Sequence, residues 1–196
     1  MEGPCKITGT LKCRCGFDRP SLTVVENDLK TTLTKLFTDH AVYTVFVIRS
    51  MIDGDEDAAV QTERLLENQV EIGENLAPYV GEVNGKAITQ LLTEHIKLAA
   101  GVVTAAKSGN ANAVEEAKAK LFENSDQVAA AFTLATDGRL PLEVSQQMWR
   151  LHNELVVQMA VHRLSKEWKL EQEIYDVYYN EILAMIKAIY ASLPAI

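Results

Sequence analysis

Apolar residues recur every three or four positions along most of the chain, and strand-like alternation is absent. The first stripe, Leu29, Leu33, Leu36, Phe37, His40, Val47, Ile48 and Met51, predicts a helix over about 21–51, capped by Ser21 or Thr23. Asp53-Gly54-Asp55 stops it and caps the next. Leu65, Asn68, Ile72, Leu76 and Tyr79 predict a second helix over about 56–79, broken at Gly81. Ile88, Leu91, Leu92, His95, Leu98, Val102 and Val103 predict a third over about 83–107, followed by the turn and cap Ser108-Gly109-Asn110. A fourth, over about 113–135, carries Leu121, Asn124, Val128 and Phe132 and ends at Asp137-Gly138. Pro141 suits the first turn of a fifth, which carries Met148, Trp149, His152, Leu155, Val156 and Met159. The pattern then continues through Trp168, Tyr175, Tyr179, Ile182, Ile186 and Ile189 with no Pro or Gly before Pro194. It fits either one long helix kinked near 165–168 or two helices. The fold class is all-α, an antiparallel bundle of five or six long helices with short connections.

Three of the stripes carry a histidine at the same place. His40 follows Leu36-Phe37-Thr38-Asp39, His95 follows Leu91-Leu92-Thr93-Glu94, and His152 follows Met148-Trp149-Arg150-Leu151, at intervals of 55 and 57 residues. Asn68 stands 28 residues after His40 and Asn124 stands 29 after His95. This is a repeated unit, a helix, a turn and a second helix, so the bundle reads as repeated αα-hairpins. With a rise of about 1.5 Å per residue, each asparagine lies level with its histidine across the hairpin. In the third copy the partner is Asn180 by spacing, or Asp176, which shares a face with Tyr179 and Ile186.

Burying an imidazole or a carboxamide on an apolar face costs free energy unless it is paired or bound. Two readings follow. In one, His40, His95 and His152 converge and bind a small ligand or a transition metal (Zn, Cu or Fe). Asn68, Asn124, and Asp176 or Asn180 then orient them from behind, and Glu71, on the face of Asn68, adds a carboxylate. In the other, each histidine bonds its neighbour and the pairs fix helix register in a non-catalytic structural or interaction protein. The di-iron motif Glu-x-x-His and histidine pairs four apart are both missing. His162 reads as a flank residue. The aromatic residues near the C-terminus read as a core seam. Gly73 and Gly101, inside helices, read as points of close helix approach. Catalysis is left open. A metal-dependent hydrolase or oxidase needs an open coordination position, and no phosphate loop or nucleophile motif is present.

Composition narrows the partners. The 196 residues are 47% hydrophobic and 23% charged, enough for one sizeable core. A net charge of −8 argues against a nucleic-acid surface and against a polybasic membrane anchor. The strongest apolar run, 41–48, is too short to span a bilayer. With no secretory-type apolar segment at the N-terminus, the expected location is cytoplasmic. Whether the bundle pairs with copies of itself stays open. Residues 1–20 hold Cys5, Cys13, Cys15 and several Gly and Pro, and read as a flexible cysteine-containing segment ahead of a single domain over 21–196. The spacing Cys-x7-Cys-x-Cys matches no common zinc or redox motif.

The blocks Leu65-Leu66-Glu67-Asn68-Gln69-Val70-Glu71-Ile72-Gly73, Leu91-Leu92-Thr93-Glu94-His95-Ile96 and Lys107-Ser108-Gly109-Asn110 resemble a family of small helical bacterial proteins. Some members carry glycosyltransferase labels. The similarity runs over about 36–190 and implies one helical domain. It implies no activity, and nothing in the pattern resembles a sugar-nucleotide transferase fold.

Overall fold

The computed structural model describes residues 29–194. Each apolar stripe forms one face of a helix: α1 (Leu29–Asp53), α2 (Ala58–Val80), α3 (Glu82–Ser108), α4 (Ala111–Ala135), α5 (Leu142–Leu164) and α6 (Trp168–Ser192). Among the described residues there is no strand. The cysteines, the 1–20 segment and the expected start of α1 near 21 lie outside them. No described helix is long and apolar enough to cross a membrane.

The turns follow simple chemistry. Asn110 caps α4, its Oδ1 accepting from the Ala113 amide at 3.2 Å. By contrast α2 begins after Asp57 with no side-chain cap, so Asp55 does not play the capping part its position suggested. Between α5 and α6 the chain breaks without a glycine. Lys166 takes φ +58°, the left-handed conformation that a Cβ disfavours. The Glu167 amide then donates to the His162 carbonyl at 2.9 Å, and the Lys166 amide to the Arg163 carbonyl at 3.1 Å. Carbonyls left open by the helix end are thereby satisfied.

Consecutive helices pack antiparallel on one another, and α6 returns to α1 to close the ring. The odd-numbered helices α1, α3 and α5 also touch one another, so they meet in the middle. Every helix feeds one core, through residues such as Leu33, Ile72, Ile88, Val128, Trp149 and Ile182. The α2–α3 crossing is a close approach that needs glycine. A Cβ at Gly85 would stand 2.7 Å from Ala77 Cβ, and one at Gly73 would stand 2.9 Å from the Gly85 carbonyl and collide with the Thr89 hydroxyl. Gly101 differs from that expectation. It is exposed, with nothing within 4 Å of the place a Cβ would take. In the aromatic seam, Trp149 and Tyr178 are buried, whereas Trp168 and Tyr190 are exposed. Trp168 lies beneath the Arg163 guanidinium, 4.6 Å from ring centre to Cζ.

Candidate functional site

The three histidines sit on the three inner helices, His40 on α1, His95 on α3 and His152 on α5, so the packing that builds the core brings them together. All are buried. The His152 ring centre lies 5.8 Å from that of His40 and 6.0 Å from that of His95. His152 is the hub of this layer, with Trp149 at 5.6 Å and Tyr178 at 5.2 Å around it. All three imidazoles line one cavity of about 30 Å³, with Thr44, Ile48, Leu65, Ile96, Ala99 and Val156 among its other walls.

Each imidazole is held at Nδ1 by a side chain of the next helix, and the step is 29 residues every time. Gln69 Nε2 donates to His40 Nδ1 at 3.1 Å, His95 Nδ1 meets Asn124 Oδ1 at 2.8 Å, and His152 Nδ1 meets Glu181 Oε2 at 3.3 Å. Behind them the amides are anchored. Asn68 Nδ2 donates to the Leu36 carbonyl at 3.0 Å, and Asn124 Nδ2 to the Leu91 carbonyl at 3.3 Å. Leu36 and Leu91 each stand one helical turn before their histidine. One asparagine does both jobs in the second hairpin. In the first hairpin the jobs are divided between Asn68 and Gln69, whose Nε2 also donates to Asn68 Oδ1 at 3.1 Å.

The structure therefore places several residues differently from the sequence expectation. Asn68 and Asn124 are fully shielded, and Asn68 does contact His40, but Gln69 shares that place and is the side chain that meets its Nδ1 at 3.1 Å. The partner of His152 is Glu181, not Asp176 or Asn180, both of which are exposed. Asn180 instead donates to the carbonyl of Asp176 at 2.8 Å. Glu71 is diverted to the surface, where it takes Arg64 at 3.2 Å. His162 sits at the end of α5 and pairs with Glu167 at 2.8 Å. The signal that would have found Gln69 and Glu181 is the constant step of 29, read without requiring asparagine.

These contacts assign protons. An amide nitrogen only donates, so His40 Nδ1 is an acceptor and its proton sits on Nε2. Gln69 Nε2 has two hydrogens for three acceptors: one goes to the Leu65 carbonyl at 2.7 Å, and the other is shared between His40 Nδ1 and Asn68 Oδ1, so the amide cannot be reversed cheaply. Asn124 Oδ1 only accepts, so His95 carries its proton on Nδ1. With Glu181 as a carboxylate, the same holds for His152. Burial, and then the neighbouring His152, hold His40 well below the ordinary imidazole range, and His95 presses in the same direction. The same burial and the same neighbour lower His95 to about 4, against the opposing contacts of Asn124 and Asn153. Both are neutral at pH 7.

Several buried polar atoms around the layer have no well-formed protein hydrogen bond, among them Thr44 Oγ1, Gln69 Oε1, Trp149 Nε1, Tyr178 OH and Glu181 Oε1. Thr44 and Tyr178 face each other, and burial pushes the Tyr178 phenol above its usual range. A second, smaller cavity of about 10 Å³ adjoins His40 and His152 and is lined also by Gln69 and Trp149.

For a metal the fit is poor. Two imidazoles sharing a zinc ion at ~2.0–2.1 Å, at the tetrahedral angle, would have ring centres ~5.2 Å apart, closer than the 5.8 and 6.0 Å found. His40 presents a proton where a ligand needs a lone pair. Among the described residues, no three His, Cys, Asp or Glu side chains are grouped as a metal site. No protein-family model, curated protein or solved structure matches the chain.

Proposed function

We propose that the protein is a small-ligand-binding bundle whose ligand sits in the central cavity between His40, His95 and His152. One observation carries this reading: three imidazoles from three hairpins line one cavity, and each has its Nδ1 already engaged from behind, leaving Nε2 to meet an occupant. The constant step of 29 residues supports a threefold internal repeat, with each hairpin contributing one imidazole and one orienting side chain. Outer partners of this kind fix ring orientation and tautomer at ligand-binding histidines. Unpartnered buried atoms around the layer add to the case, since buried polar groups are normally satisfied. A transition metal, Zn, Cu or Fe, as the occupant would require the rings to draw together and His40 to move its proton.

A second reading is favoured by the same hydrogen bonds. Each ties an odd helix to the even helix after it, so the layer would fix register in a protein with no ligand. A high-resolution diffraction map of the full chain, with metal analysis of the same preparation, separates the two. The ligand reading expects ordered density within bonding distance of at least two of the three imidazoles. A dry cavity would overturn it and leave the register network.

A further inference from the structure

We propose that the occupant is a single water molecule held by two donors and two acceptors, and that Gln69 makes the centre select it over a bare metal ion. This rests on reading the cavity as a ligand site and names the ligand's class. The tautomers set the pattern. His40, with Nδ1 accepting from Gln69, offers Nε2–H as a donor. His95 and His152, with Nδ1 facing an amide oxygen and a carboxylate oxygen, offer Nε2 lone pairs. Thr44, 7% exposed and also lining the cavity, supplies a hydroxyl that lacks a well-formed partner. A neutral molecule that donates to His95 and His152 and accepts from His40 and Thr44 completes all four.

Size points the same way. The cavity volume of about 30 Å³ exceeds the ~10–15 Å³ that one water requires, and a buried water needs two to four polar partners. Larger ligands meet the aliphatic walls. A cation meets the His40 N–H, which points positive charge at it. Gln69 is therefore a positioning residue. It touches no ligand, and it sets which atom His40 presents. Its own orientation is fixed by the Leu65 carbonyl and by Asn68, whose Nδ2 is in turn committed to Leu36. That chain runs back to the α1 backbone, so the selection is built into the hairpin.

The test uses the isotope-labelled full chain at neutral pH. Long-range proton–nitrogen correlations of the imidazole rings read each tautomer directly. The expected pattern is a proton on Nε2 of His40 and on Nδ1 of His95 and His152. A proton on Nδ1 of His40 overturns the inference. The diffraction map should show one water bonded to the imidazoles. A metal ion in its place also overturns the inference while leaving the ligand-site reading intact, whereas a dry cavity overturns both. In Gln69→Leu the donor facing Nδ1 is gone and no new acceptor meets Leu65 or Asn68, so His40 is free to carry its proton on Nδ1 and present a lone pair. Zinc affinity measured by calorimetry should then rise about tenfold or more over the native chain. Equal affinity in a folded variant would remove Gln69 from the selection. Should that variant not fold, the native tautomers decide alone.

Discussion

Helix α6 carries two buried glutamates ten residues apart, and they are treated in opposite ways. Glu171, 3% exposed, has both oxygens taken by cations: Arg49 Nε at 2.6 Å and Arg163 Nη1 at 3.2 Å. Arg163 in turn holds Asp53 at the end of α1, so the cluster staples α1, α5 and α6 together. Glu181, 8% exposed, has one oxygen on His152 and the other on nothing in the protein. The first cluster is charged and closed. The second is built on imidazoles and left with open valences. A polar cluster that exists for stability uses up its donors and acceptors, because an orphan costs about 1–3 kcal/mol. The unfilled valences around Glu181 and its neighbours are what the proposed ligand would complete.

The largest effect that would sharpen this contrast is a pH dependence. Unfolded histidine titrates near 6.5, whereas folded His95 titrates at about 4. Between those values the unfolded chain binds more protons, so stability is full above pH 6.5 and is lost as pH falls toward 4. His95 alone accounts for about 3 kcal/mol at pH 4, and His40 acts in the same direction. Urea unfolding at pH 7 and pH 4 measures it. A flat profile would mean that the imidazoles are charged or solvated, and the contrast would collapse.

Next comes the closed cluster. Glu171→Gln leaves two guanidiniums without their shared carboxylate and should cost about 2–3 kcal/mol. Asn124→Leu removes the 2.8 Å partner of His95 Nδ1 and the second bond to the Leu91 carbonyl, and should cost about 2 kcal/mol. The two should part in salt. Partly exposed ion pairs are screened, so the Glu171 loss should shrink at high ionic strength, while the Asn124 loss should hold. Equal salt responses in chemical denaturation would contradict the distinction. The smallest effect is a gain. Lys166→Gly relieves the left-handed backbone beside Arg163 and should stabilise by about 1 kcal/mol. An unchanged thermal midpoint would place the strain elsewhere.

The helices were legible because burial imposes its period directly on the sequence. The three histidines were legible because a polar residue on an apolar stripe is conspicuous. Their partners were only half legible. A repeated asparagine marks Asn124 and Asn68, both of which contact their histidines, but it does not mark Gln69 or Glu181. What geometry repeats is a position that can reach Nδ1, and an amide or a carboxylate can fill it. The break at Lys166 carries no such mark, because a lysine occupies the conformation that glycine usually takes. Gly101 gave the opposite error, because a glycine in a helix looks the same in sequence whether or not a neighbour presses on it.

The return of α6 onto α1 has a consequence for how the chain reaches this shape. Most helix contacts join neighbours in sequence, where loop closure is cheap and fast. The α1–α6 seam joins the first described helix to the last, and the ion-paired staple spans 122 residues between Arg49 and Glu171. On loop-closure cost, the hairpins are expected to form before the ring is sealed. The histidine layer likewise waits on long-range packing, since its hub, His152, must return with α5 to α1 and α3, and its partner Glu181 comes with α6. The order of assembly thus ties completion of the centre to completion of the fold, and a chain that stalls before closure carries no site at all.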